Sequence, residues 1–195
     1  MLKHIYLASN SPRRWELLQN LGVELTKLAG EIDETPNLNE EAKSYCLRIA
    51  LNKNQAAQAV RLAKNLANLP ILTADTTVSI DKQILGKPVD ENDAYRMLKL
   101  LSGRTHQVFT AICVSFNSEL FSIVQASDVT FRTLTDEEIW NYIRTKEPMD
   151  KAGAYGIQGL GGIFITHLSG SFTGVMGLPI AETAELLQKC SVKII

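Results

Sequence analysis

Apolar residues run unbroken through Ile5-Tyr6-Leu7-Ala8 and stop at Ser9-Asn10-Ser11-Pro12, the mark of a buried strand that ends in a turn. Behind the turn the spacing becomes helical, from Pro12 through Asn20. Ser11 suits the N-cap of that helix, Pro12 its first position, and Gly22 the left-handed residue after its end. Residues 39–66 contain neither Pro nor Gly, and they place Ala42, Tyr45, Cys46, Ile49, Ala50 and Lys53 on one side of a long helix. The β-branched run Ile71–Ile80 predicts a strand that turns at Asp81-Lys82 towards Ile84-Leu85. A short amphipathic helix spans Asp93–Leu101 and stops at Ser102-Gly103. Two long paired strands, His106–Phe116 and Leu120–Arg132, flank an Asn117-Ser118 turn. Thr135-Asp136-Glu137-Glu138 is a capping box for a helix to about Arg144. Gly-rich loops, a strand Gly162–Leu168 and a last helix from Pro179 to about Lys189 complete the pattern. Helices and strands interleave with one antiparallel pair in the middle, so an α/β fold with a mixed, twisted central sheet flanked by helices is expected.

With 195 residues, 45% hydrophobic and 21% charged, the chain can bury a substantial core, and it shows no linker, repeat or low-complexity tract. A single domain over 1–195 is expected. No apolar run reaches the roughly 20 residues that span a bilayer. Met1-Leu2-Lys3-His4 has none of the features of a secretory signal, so no membrane partner and a cytoplasmic location are expected. Cys46, Cys113 and Cys190 are odd in number and widely spaced, which reads as buried thiols rather than a disulfide frame or zinc site. A net charge of −1 offers no basic surface for a nucleic acid, and favours a small phosphorylated metabolite over a polymer.

A strand, a turn of small residues and a helix N-terminus together make an anion site, because free backbone N–H groups and the positive end of the helix dipole converge there. Arg13 and Arg14 oppose that dipole, a local cost that a negatively charged ligand would offset; the alternative is a plain helix start with surface arginines. Asp75 stands within an otherwise apolar and β-branched strand, where an unpaired charge is expensive. It can coordinate a metal, accept a proton or pair with a cation, or it can be an ordinary structural ion pair. Asp33 and Glu34 lie in a polar loop that is solvated if taken alone, but which could share a magnesium ion with Asp75. Lys87, held in a Gly86-Lys87-Pro88 turn, is either a surface lysine or a point charge for a polyphosphate, and Lys53 and Arg48 could join it. The stretch Asp150–Gly162 carries five glycines, so its backbone can approach a ligand closely, although it matches neither the P-loop nor the dinucleotide fingerprint. Within it, Gln158 offers both a donor and an acceptor for a base edge or a phosphate. His4, His106 and His167 have no metal-ligand spacing, and no nucleophile elbow is present, which favours metal-assisted water chemistry over a covalent mechanism.

Taken together, Leu7-Ala8-Ser9-Asn10-Ser11-Pro12-Arg13-Arg14, Ile32-Asp33-Glu34, Ala74-Asp75-Thr76, Leu85-Gly86-Lys87-Pro88, Leu101-Ser102-Gly103, Asp150–Gly156 and Gly177-Leu178-Pro179 resemble the Maf family of nucleoside triphosphate pyrophosphatases. The similarity runs nearly end to end. It implies hydrolysis between the α and β phosphates of a nucleotide with a divalent cation (Mg, Mn or Co). It also implies two lobes with a cleft, in a fold of the Maf and inosine-triphosphatase kind, and a homodimer.

The same resemblance names Asp75 as proton acceptor; with it, Asp75, Glu34 and Lys87 are expected at the catalytic centre, and Asp75 with Glu34 at the metal. It assigns Ser9, Ser11, Arg13, Arg14, Lys53, Thr76 and Gln158 to the substrate. Arg13, Thr76 and Gln158 follow the branch that prefers dTTP and UTP, where the other branch, which prefers 7-methyl-GTP, has Trp, Gln and Glu. A neutral pyrimidine edge suits the amide of Gln158, and a positively charged methylated guanine suits an aromatic face and a carboxylate. Trp15, two positions from where that branch has its tryptophan, reads as a core residue, and Asn52 departs from the family's usual Glu. The expected role is removal of non-standard or excess pyrimidine nucleotides. The alternatives are 7-methyl-GTP hydrolysis or a non-enzymatic regulator of septum formation and cell division.

Overall fold

The computed structural model describes residues 2–28 and 30–194. The first half of the chain builds parallel strands. β1 (His4–Leu7) leads through α1 (Pro12–Asn20) to β2 (Glu24–Lys27), and α2 (Ala42–Ala63) returns the chain to β3 (Ile71–Ile80) on the other side of β1. The second half is antiparallel. β3 turns into β4 (Gln83–Leu85), and after α3 (Glu91–Leu101) come the long hairpin strands β5 (Thr105–Phe116) and β6 (Glu119–Phe131). Then follow α4 (Asp136–Arg144), β7 (Ile165–Ser169), α5 (Phe172–Met176) and α6 (Ile180–Lys189). The seven strands form one mixed sheet in the order β2-β1-β3-β5-β6-β7, with β4 also on β3. None of the helices is long and apolar enough to cross a membrane among the described residues.

Most of the boundaries read from the sequence hold. α1 ends where Gly22 takes a positive φ of 74°, and Thr135 and Glu138 make both bonds of the capping box of α4. Four expectations need correction. The sheet has four antiparallel pairings rather than one, because β3–β4, β3–β5 and β6–β7 join the β5–β6 hairpin. The last strand starts at Ile165, since Leu160–Phe164 coil as a 3₁₀ turn with Gly161 and Gly162 in close contact with neighbouring polar atoms. α3 begins earlier, at Glu91, because the Asp90 side chain accepts from the Asp93 N–H and caps it. The Ser11 side chain, by contrast, makes no capping bond.

Residues of β3 alternate between two environments. The odd positions face α2, where the Thr73 hydroxyl donates to the Ala50 carbonyl at 2.9 Å. The even positions meet two separate cores. Leu72 and Ala74 pack with Leu7, Leu18, Ile112 and Leu187. Val78 and Ile80 pack with Leu98, Phe131, Tyr142 and Phe164. Thr76 lies between the two, so the division into two lobes falls at the middle of this strand. The same stretch is open at its edge. Among the described residues, β1 pairs with β3 only at Ile71 and Leu72, and β4 only at Val78 to Ile80, which leaves residues 73–77 without a strand neighbour on that side.

His106 belongs to the second core. Its Nε2 meets the Tyr155 hydroxyl at 2.8 Å, its ring packs edge-on against Phe131, and its buried Nδ1 has no partner among the described residues. Burial pushes the imidazole pKa down from 6.5 to about 4. The folded state therefore disfavours the protonated ring, and the stability gained from a neutral His106 is full above about pH 6.5 and is lost as pH falls towards 4. The shift corresponds to roughly 3 kcal/mol at the acid end of that window. His106→Gln should flatten the decline in melting temperature between pH 6.5 and 4.5 relative to wild type. Parallel curves would show that another group governs acid unfolding.

Candidate active site

A cleft of about 1000 Å³ opens over the unpaired stretch of β3, and all ten residues expected to act on substrate line it: Ser9, Ser11, Arg13, Arg14, Glu34, Lys53, Asp75, Thr76, Lys87 and Gln158. They arrive from six places in the chain. The β1–α1 turn brings the serines and arginines, and the loop before α2 brings Glu34. α2 supplies Lys53, and β3 supplies Asp75 and Thr76. Lys87 follows β4, and Gln158 comes from the glycine-rich segment.

The Lys53 ammonium joins two carboxylates, 2.8 Å from Asp75 Oδ1 and 2.9 Å from Glu34 Oε1. Asp75 is nearly enclosed, with its side chain 10% exposed, whereas that of Glu34 is 55% exposed. Asp75 Oδ2 accepts from the Thr77 hydroxyl at 3.2 Å, so both carboxylate oxygens are engaged from the floor of the cleft. Beneath it, the Cys46 thiol bonds the Asp75 and Phe109 carbonyls, and burial pushes that thiol up to about 12, so it stays protonated.

Arg14 has the opposite character, a buried cation among neutral acceptors. Its Nε donates to the Gly177 carbonyl at 2.7 Å, and its two terminal nitrogens donate to the Ser9 and Thr76 hydroxyls at 3.2 and 3.1 Å. Burial lowers its pKa from the ordinary arginine value, and the charge of Asp75 offsets only part of that. Three of the five N–H donors of a guanidinium are thereby used, and two remain for a ligand. Thr76 is held in turn by Thr110, 3.0 Å away, whose hydroxyl also reaches the Gly174 carbonyl.

Arg13 reaches across the cleft to Asp150 at 3.4 Å. Burial works to raise the Asp150 carboxyl, but the hydrogen bond and charge of Lys151, with Arg13, outweigh it and hold the group below its ordinary range. Lys87 is exposed and has no ionic partner among the described residues. Asp33 and Arg48 do not line the cleft. Asp33 accepts from the Thr35 N–H, and Arg48 grips the Glu40 carboxylate with two contacts of 2.6 Å. Asn52 is likewise absent from the cleft wall. Trp15 packs beside the first core and donates its indole N–H to the Ser9 carbonyl at 3.3 Å, which keeps it a framework residue.

Two supports were not visible in the sequence. Tyr45, read as part of an apolar helix face, lines the cleft and donates its hydroxyl to the Glu34 carbonyl at 2.8 Å. Its spacing of eight from Lys53 on the same helix face was the available signal. The glycine-rich segment closes around an internal carboxylate: Glu147 accepts from Leu160 N–H at 2.9 Å, Gly161 N–H at 3.1 Å and the Tyr142 hydroxyl at 2.8 Å. A Cβ at Gly159 would lie 2.5 Å from that carboxylate, and one at Gly161 would lie 2.6 Å from the Tyr142 oxygen. Those glycines are therefore needed for contacts inside the protein, and the expectation that they free the backbone to approach a ligand is corrected at these positions.

Over residues 4–190 the chain matches the family model described as Maf, Maf-like protein. The chain belongs to the Maf family. Among its Maf relatives, a nucleoside triphosphate pyrophosphatase of Haemophilus ducreyi is 65% identical over 195 residues, covering 100% of this chain and 99% of that protein. A dTTP/UTP pyrophosphatase of Pasteurella multocida is 52% identical, covering 97% and 96% of the two chains. One of Escherichia coli is 48% identical, covering 94% and 91%. Of the motifs read from the sequence, all but Leu101-Ser102-Gly103, whose leucine packs in the second core, contribute residues to this one cleft.

Proposed function

We propose that this protein hydrolyses nucleoside triphosphates, dTTP and UTP by preference, to the monophosphate and pyrophosphate. The observation that carries this reading is Arg14, a buried guanidinium bonded to neutral groups with donors left over at the cleft. An anionic ligand of high charge density completes such a group. The names of the relatives supply the nucleotide class.

In this reading the triphosphate lies along the β1–α1 turn, held by the backbone there, by Ser9, Ser11, Arg13 and Arg14, and from the other wall by Lys87. Asp75 takes the proton of the attacking water. The water oxygen bonds to the α phosphorus, the bond from that phosphorus to the bridging oxygen breaks, and pyrophosphate leaves with the electron pair. Lys53 holds Asp75 and Glu34 in place. Asp75 and Glu34 offer hard oxygen donors too few to enclose an ion alone, and no group of three or more candidate ligands stands elsewhere among the described residues. That donor set fits a divalent cation carried on substrate phosphates, completed by phosphate oxygens and water. Such an ion supplies neutralisation of charge on the phosphate oxygens. Gln158, exposed at the cleft with its amide free of protein partners among the described residues, reads the pyrimidine edge.

The test is pyrophosphate release from dTTP, UTP, CTP, GTP and 7-methyl-GTP with and without added Mg or Mn. The expected result is metal-dependent release, fastest from dTTP and UTP. Preference for 7-methyl-GTP would overturn the base assignment and leave the chemistry standing. No release from any of the five would overturn the enzymatic reading.

A further inference from the structure

The tip that carries Gln158 is a tight turn, Gly156 to Gly159, closed by the Gly159 N–H bonding the Gly156 carbonyl at 3.2 Å. Gln158 itself is exposed, and nothing in the protein grips its side chain among the described residues. The backbone around it is another matter. Glu147 takes the N–H groups of Leu160 and Gly161 directly, and the Tyr142 hydroxyl accepts from the Gly156 N–H at 3.1 Å while donating to Glu147. One carboxylate with its tyrosine thus fixes both ends of the turn. The 3₁₀ segment Glu147–Asp150 is locked in its own right, since Lys151 Nζ donates to the Glu147 carbonyl at 2.6 Å and to Asp150 Oδ1 at 2.7 Å. Asp150 in turn holds Arg13 from the opposite wall.

We propose that Glu147, through Tyr142, is a positioning residue for base selection: it fixes the Gln158 turn at the height where the Gln158 amide meets the pyrimidine edge. The inference rests on the reading of Gln158 as the base-contacting group. A carboxylate is needed because it accepts from all three donors, whereas an amide would turn an NH₂ towards a backbone N–H. Gly159 and Gly161 are the sequence cost of this arrangement, because any side chain at either would displace the carboxylate or the tyrosine.

The readout is the ratio of kcat/KM for dTTP to that for GTP, in wild type, Glu147→Gln, Tyr142→Phe, Gln158→Ala and the Glu147→Gln/Gln158→Ala double variant. Glu147→Gln should raise KM for dTTP about tenfold with a smaller change in kcat, and lower the dTTP:GTP ratio by a similar factor. Tyr142→Phe, which removes one hydroxyl, should move the ratio in the same direction by less and guards against a Glu147 variant that does not fold. In the Gln158→Ala background, Glu147→Gln should leave the ratio where Gln158→Ala has already put it. If Gln158→Ala shifts the ratio but neither Glu147→Gln nor Tyr142→Phe does, the positioning role is overturned alone. Equal losses for dTTP and GTP in Glu147→Gln would likewise mark Glu147 as merely structural. If Gln158→Ala leaves the ratio untouched, the base reading falls and the positioning role falls with it.

Discussion

Asp75→Asn leaves the fold standing and lowers the turnover of dTTP by roughly 10²- to 10⁴-fold, the range lost with a general base. The side chain changes in charge and hardly in shape. An amide oxygen can still accept from Lys53 or from Thr77, and Lys53 keeps Glu34 as its ionic partner. What disappears is the capacity to take a proton from water in the cleft. The check is pyrophosphate release at saturating dTTP beside the thermal melting of both proteins. A variant that melts with wild type and has lost its turnover supports the assignment. Turnover at the wild-type level removes Asp75 from the proton step.

Arg14→Met separates binding from stability. The variant orphans the Gly177 carbonyl, at about 1–3 kcal/mol, but it also removes a guanidinium desolvated without a hydrogen-bonded carboxylate. These oppose each other, so the urea midpoint should move little. The phosphate end of the substrate loses two charge-assisted donors, and KM for dTTP should rise about 10²-fold. Urea unfolding and steady-state kinetics on the same preparation decide the matter. A large loss of stability with KM unchanged would make Arg14 a structural strut between α1 and the Gly177 turn rather than a substrate group.

What could be read in the sequence, and what could not, follows from the range over which each signal acts. α1 is legible because Ser11, Pro12 and Gly22 mark its two ends within twelve residues, and the start of α4 because its capping box is complete within four. Asp75 stood out because a carboxylate in a β-branched run violates the local pattern. Lys53 and Arg14 are legible as cations, but not what they touch, since Lys53 lies 22 residues from Asp75 and the Arg14 contact to Gly177 spans 163. The glycine-rich segment was recognised as special for its composition, but composition does not say what comes close to the backbone. The answer is Glu147, a residue with no local irregularity to mark it. The turn of β3 into β4 is legible at Asp81-Lys82, but its antiparallel pairing with β5 is not, because a β-branched run fits a buried strand of either sense.

The break in pairing along β3 has a consequence for how the protein behaves among its neighbours. An unpaired strand edge exposes N–H and C=O groups that invite another chain to add a strand, the first step of many aggregates. Here the open edge at residues 73–77 lies at the bottom of a concavity, shadowed by α2 and flanked by the charged groups of Arg14, Lys53 and Asp75. A flat sheet from a second molecule cannot descend to it, whereas a slender polyanion can. The recess that admits a nucleotide therefore also keeps this edge from recruiting other strands.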